Sequence, residues 1–162
     1  MEQLASAVQG LVALLARLAL VSIFLMSTVF NKIPQFSQTV EYMAREGVPI
    51  PKAALAGAIG MLLLGGLSLL LGAWTRIGAF LLLVFLGAAT YYFHDFWTLA
   101  DPLQREVQTI QFLKNLAIGG GLLAILAFGA GPWSVDGWIG RRQEEAEADA
   151  PAKPRVPARA QA

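Results

Sequence analysis

AALAGAIGMLLLGGLSLLLGA (residues 53–73) contains no charged side chain and only one hydroxyl, Ser68. At 1.5 Å per residue a helix of that length spans about 30 Å, the thickness of the hydrocarbon layer of a bilayer. The stretch lacks the period-2 alternation of barrel strands. Backbone in lipid must satisfy its own N–H and C=O groups, so a helix is the conformation left to it. Three further runs read the same way, at 11–30, 77–93 and 110–130. Composition agrees. Hydrophobic residues make up 56% of the 162 and charged ones 14%, against roughly a quarter charged in a soluble domain. The expected fold class is an all-α integral membrane protein, a bundle of four transmembrane helices over residues 1–140.

The connectors carry their own signals. QFSQTVEYMAREG (residues 35–47) places Phe36, Val40, Met43 and Ala44 near one helical face and Gln38, Glu41 and Arg45 on another. Gly47 and the following VPIP end it, which predicts a short amphipathic helix on the membrane surface between the first two spans. Residues 94–108 are polar and suggest a second surface segment. Residues 141–162 are Ala, Pro and charge, a composition that cannot bury apolar area and predicts disorder. The leader MEQLASAVQG has no Lys or Arg, so the first run is expected to be a retained helix rather than a signal peptide.

Four crossings put both termini on one side. Arg76, Arg141, Arg142, Lys153, Arg155 and Arg159 would share that side, against Lys32, Arg45, Lys52 and Arg105 opposite. The excess of cations predicts cytoplasmic termini. Trp74, Trp133 and Trp138 then form one aromatic belt and Tyr91, Tyr92 and Trp97 the other. Small residues four apart predict close helix packing: Ala53/Gly57, Ala56/Gly60 and Ser68/Gly72 in the second span, and Ala117/Gly121, Gly120/Ala124 and Ala127/Gly131 in the fourth.

Function has few residues to work with. The net charge is +1 without a basic stripe, so no nucleic-acid partner is expected. There is no cysteine and one histidine, which excludes thiolate-bound zinc, iron–sulfur clusters and a bis-histidine haem within one chain. His94 has only Asp95 beside it, and no metal site is expected. Its bland reading is an interfacial cap ending the third span. A charge deep in a bilayer is costly, so Arg17 and Lys114 need partners or a purpose. Arg17, Thr28 and Asn31 fall on one stripe of the first span. Gln111 and Asn115 flank Lys114, whose plainest role is to snorkel. Asp95, Asp101 or Glu106 could pair with Lys114, and Asp136 with Arg17. Failing that, an excess of positive charge would suit an anionic or carbonyl-bearing ligand such as a quinone; a redox role would have to use a quinone, a flavin or a partner's cofactor. The candidate pocket residues are Arg17, Thr28, Asn31, Lys32, His94, Asp95, Gln111, Lys114 and Asn115, with Arg76 and Asp136 as candidate structural ion-pairing groups.

RLALVSIFLMSTVFNKIPQF (17–36), EGVPIPKAALAGAIGMLLLGGLSLLLGAWTRIGAFLL (46–82) and NLAIGGGLLAILAFGAGPWSVDGW (115–138), in this order, resemble the DoxX family of small bacterial inner-membrane proteins. The resemblance covers about residues 15–138. It implies a four-helix bundle in the cytoplasmic membrane, and a link to quinone-dependent sulfur oxidation or to complexes that handle oxidative stress. Arg17, Asn31, Lys32, Arg76 and Asp136 fall on the family's polar pattern. Relatives often carry a glutamate about three residues before the double glycine, where this chain has Leu62.

Three roles follow. The first is an accessory or quinone-interacting subunit of a membrane redox complex. The second is a non-catalytic scaffold that holds a soluble partner, alone or as a homo-oligomer. A transporter is third, because four helices with one or two buried charges offer a thin pathway. The shortage of catalytic groups favours an accessory role over a self-contained enzyme.

Overall fold

The computed structural model describes residues 1–150, the side chains of residues 2 and 3 apart, and every regular element among them is helical. Four helices have the length and apolarity to cross a membrane. Helix α1 (Glu2–Ser27) runs on into a π-helical turn at Thr28–Lys32, and α2 (Phe36–Arg45) is the surface helix expected from its pattern. Next come α3 (Pro51–Leu71) and α4 (Thr75–Phe93). A 3-10 turn (Phe96–Thr98) leads to α5 (Pro102–Phe128), and α6 (Val135–Ala148) closes the described chain.

On α2, Met43 is buried and Phe36 and Val40 are half-buried, whereas Ala44 is exposed and leaves the expected face. Other boundaries differ from the sequence reading as well, and α1 begins at Glu2, nine residues before residue 11. The fourth span starts eight residues before residue 110, because Asp101 accepts the Gln104 N–H at 3.0 Å and Pro102 occupies the first turn. Both are start signals that outweigh the polar composition of residues 102–109. Residues 141–148, expected to be irregular, continue α6. Ser134 caps that helix by accepting the Gly137 N–H at 2.9 Å, so its start is fixed upstream of the charged run. Residues 151–162, with Lys153, Arg155 and Arg159, lie outside the described residues.

The central core joins Val21 and Phe24 of α1, Leu62 and Leu69 of α3, Ala79, Leu82 and Leu86 of α4, and Leu122 and Ile125 of α5. A second cluster, Met43, Val48 and Leu55, sits under α2. The chain approaches itself closely at half of the glycines expected, Gly72, Gly121 and Gly131, and at others besides. A Cβ at Gly65 would come within 2.8 Å of Leu82 and 2.9 Å of the Gly78 carbonyl, and one at Gly66 would meet Leu25. Gly121 abuts Leu20, and Gly131 abuts Ala13, as their spacing suggested. Gly57, Gly60 and Gly120 face open space instead. Spacing marks which glycines share a helix face; the neighbouring helix decides which face is used.

Candidate functional site: a polar pocket at the loop end and a latch at the terminal end

The polar residues separate into two groups at opposite ends of the bundle. At the end that holds the α3–α4 turn and the start of α6, Arg17 is 2% exposed and donates to the backbone carbonyls of Leu69, at 3.3 Å, and Trp133. The α3–α4 turn beside it is strained, with Gly72 and Trp74 both in the left-handed region. Helix α4 has no side-chain cap from its own turn. Asp136 supplies one from across the chain. Its carboxylate accepts the N–H groups of Trp74 (2.8 Å) and Thr75 (2.9 Å) and the Thr75 hydroxyl (2.7 Å). The Asp136 N–H in turn donates to the Gly72 carbonyl at 2.8 Å. A carboxylate there satisfies the orphan donors of the helix start and the positive end of its dipole. Burial alone would push the Asp136 carboxyl up. The hydrogen bonds from Thr75 and Trp74, with the nearby Arg17 charge, outweigh it and hold the group below its usual value.

The resemblance-bearing pieces GAWTR and GPWSVD are therefore two halves of one latch that ties α1, the α3–α4 turn and the start of α6. Arg17 belongs to it and does not line the loop-end cavity. Arg76 does not pair with Asp136; it is exposed and donates to the Ala127 carbonyl at 3.3 Å. Among the described residues the one ion pair within 4.0 Å is Arg45 with Glu41, on the surface of α2.

At the other end, a cavity of about 500 Å³ lies between α1, α2, α3, α4 and α5. Lys32, Asn31, His94 and Asn115 line it, as expected for an opening on this side. The π turn sets Lys32. Its i→i+5 bonding, seen in the 3.0 Å bond from the Ile33 N–H to the Thr28 carbonyl, stacks Lys32 over Ser27, and Lys32 Nζ donates to Ser27 Oγ at 2.6 Å. Such turns recur at functional sites because they re-aim a side chain without ending a helix. The ammonium also lies 5.6 Å from the Phe85 ring centroid, close enough for a cation–π attraction. Asn115, 7% exposed, donates to the Thr90 hydroxyl at 2.9 Å. His94 Nδ1 is 2.8 Å from Gln108 Oε1; a carbonyl oxygen accepts, so Nδ1 carries the proton.

Other sequence candidates are elsewhere. Thr28 is buried behind the cavity, its hydroxyl donating to the Phe24 carbonyl at 2.7 Å. Asp95 accepts from the Thr98 hydroxyl at 2.9 Å and faces a separate groove with Tyr42 and Glu46. Lys114 is exposed and donates to Gln111, one turn away, and reaches none of Asp95, Asp101 or Glu106.

Sequence reasoning passed over Ser27, Gln35, Gln38, Thr39, Tyr42 and Phe85, which also line the cavity. The polar face of α2 was the available signal, since a surface helix with its apolar side on the bundle can turn Gln38 and Thr39 toward an opening. Tyr42 stacks on Phe93, with ring centroids 5.3 Å apart. Burial, and then the carboxylates of Glu46 and Asp95, push its phenol above the usual 10.0, so it stays an O–H donor at neutral pH. Leu62, where relatives often have glutamate, is fully buried on the cavity wall.

The DoxX family model matches residues 12–95, which hold the π turn, the α3–α4 turn and most of the cavity wall. The chain belongs to the DoxX family. The model of the SURF4 family matches residues 55–139. Two Escherichia coli (strain K12) relatives fit this DoxX assignment. Inner membrane protein YphA is 32% identical over 130 residues, 80% of this chain and 91% of that protein. Inner membrane protein YqjF is 30% identical over 129 residues, 80% and 92% respectively. No solved structure matches the chain. As a DoxX protein it resides in the inner membrane, and four of its helices are long and apolar enough to cross it.

Proposed function

We propose that this DoxX-family inner-membrane protein binds a small amphiphile with a carbonyl or anionic head, a quinone being the best chemical fit, as an accessory subunit of a membrane redox or oxidative-stress complex. One observation carries the reading: the wall of the loop-end cavity holds the Lys32 ammonium and no carboxylate. A half-buried cation without an anionic neighbour is unfavourable unless a ligand supplies the negative or dipolar partner. Asn31, Gln35, Tyr42 and His94 add donors around the same mouth, while Phe24, Leu62, Phe85 and Leu86 make the interior apolar. Few convergent polar groups over an apolar interior is the usual form of a small-molecule site. The lining offers donors and a cation, and beyond the Ser27–Lys32 contact it pairs no nucleophile with a base, which favours binding over self-contained catalysis.

The orientation proposed is with both termini cytoplasmic, from Arg76, Arg141, Arg142, Lys153, Arg155 and Arg159 in the sequence against Lys32, Arg45, Lys52 and Arg105. The cavity then opens on the outer side. Since the chain has no cysteine, single cysteines placed at residues 45 and 141 and probed with an impermeant thiol reagent on whole cells would report the sidedness.

Binding is tested by purifying the protein in mild detergent and identifying co-purified quinone and proteins by mass spectrometry. Bound quinone is expected, lost in Lys32→Met and kept in Lys114→Met. A stoichiometric protein partner without any small molecule would replace this reading with that of a scaffold.

A further inference from the structure

The cavity is open on one flank. Around the bundle, α1 packs on α3, α3 on α4 and α4 on α5, while α5 and α1 are the least engaged neighbours. These two meet in the half nearer the termini, where a Cβ on Gly121 would lie 3.1 Å from Leu20. Toward the loop end they stand on either side of the cavity instead, α1 with Ile23 and Ser27 and α5 with Asn115 and Ile118. Ile23 is 41% exposed on the outer surface while also lining the cavity, so this flank reaches the outside of the bundle. It does so nine residues along the helix from Lys32, about 13 Å deeper. Both flanking segments belong to membrane-crossing helices.

We infer that the ligand enters sideways from the bilayer, through the slot between Ile23 and Ile118, and is a membrane-dissolved amphiphile whose hydrocarbon chain remains in that slot. This rests on the proposed binding of a carbonyl-bearing head near Lys32. An apolar slot at hydrocarbon depth holds a chain without dehydrating any polar group, whereas a water-soluble metabolite would have to use the polar mouth beneath α2. The position of the head and the exit of the tail are thereby fixed at opposite ends of one cavity, with the Phe24–Phe85 edge-to-face pair (centroids 6.4 Å apart) between them.

The probe is a benzoquinone with an isoprenoid tail and a diazirine on the first tail unit, photolysed with the full-length protein in lipid nanodiscs, with excess tail-free quinone as competitor. Competable adducts are expected on the peptides that carry Ile23 and Ile118. Ile118→Trp should cut them at least fivefold, and so should Ile23→Trp, a substitution at a partly exposed site that the fold tolerates more readily. Competable adducts confined to Gln38–Tyr42 and His94, or adducts that persist at Ile23 and Ile118 in both folded tryptophan variants, would overturn lateral entry while leaving the binding site in place. No competable adduct anywhere would overturn the binding site itself.

Discussion

Arg17 and Gly72 are fitted to one another: a Cβ on Gly72 would overlap the Arg17 guanidinium at Nη1. Gly72 also holds φ +68, a backbone conformation that disfavours any side chain. The two residues are fifty-five positions apart in sequence, and their contact is what lets a buried arginine reach the last carbonyls of α3. Gly72→Ala should therefore cost about 2–4 kcal/mol, strain and displacement of the guanidinium together. Thermal or denaturant unfolding in detergent micelles measures it. A loss below about 0.5 kcal/mol, the range of ordinary surface changes, would place Arg17 elsewhere.

Arg17→Met leaves the Leu69 and Trp133 carbonyls without their donor and Asp136 without its nearby cation. The expected loss is about 2–3 kcal/mol. Arg17→Lys should recover only part of it, since one ammonium cannot reproduce the guanidinium fork. Because Arg17 does not line the loop-end cavity, quinone photolabelling of the folded Arg17→Lys protein should match wild type. Reduced labelling at unchanged stability would join the two ends functionally.

The latch also predicts an acid limit. Asp136 is held below its usual 3.8 in the folded protein. Between that lowered value and 3.8 the unfolded chain binds more protons, so stability rises with pH through this window. The contribution is fully present above the unfolded value and is lost as pH falls through the folded one. Asp136→Asn should lower stability at neutral pH and flatten this part of the pH profile. An unchanged slope in the variant would assign the acid limit to other carboxylates.

Two glycines of α3 should respond in opposite directions. Gly65→Ala forces a Cβ against Leu82 and the Gly78 carbonyl, and backbone cannot yield as a side chain can, so about 1–3 kcal/mol should be lost. Gly60→Ala meets nothing within 4 Å and gains helix propensity, up to about 1 kcal/mol. Unfolding midpoints of the two variants, measured side by side, check the sign of each.

The four spans, the surface helix α2 and the family were legible in the sequence, as was the cluster of Asn31, Lys32, His94 and Asn115 at one end of the bundle. Lys114 was not placed correctly as a pocket residue. Hydropathy reports depth but not azimuth against a neighbouring helix, and α5 turns Lys114 outward while Asn115, the next residue, points in. Lys32 carried too little weight for a related reason. The π turn that sets it over Ser27 leaves no compositional mark.

The sequence by itself determined that this chain lives in lipid and how often it crosses. Apolar length and the need to satisfy backbone locally are properties of each segment alone. It also determined which residues were costly enough to need an explanation. Only the tertiary structure decided that Arg17 closes a latch with Gly72 and Asp136, and that Lys32, not Lys114, is the cation facing a cavity. Those outcomes depend on contacts between segments fifty or more residues apart and on helix rotation, which local composition does not encode.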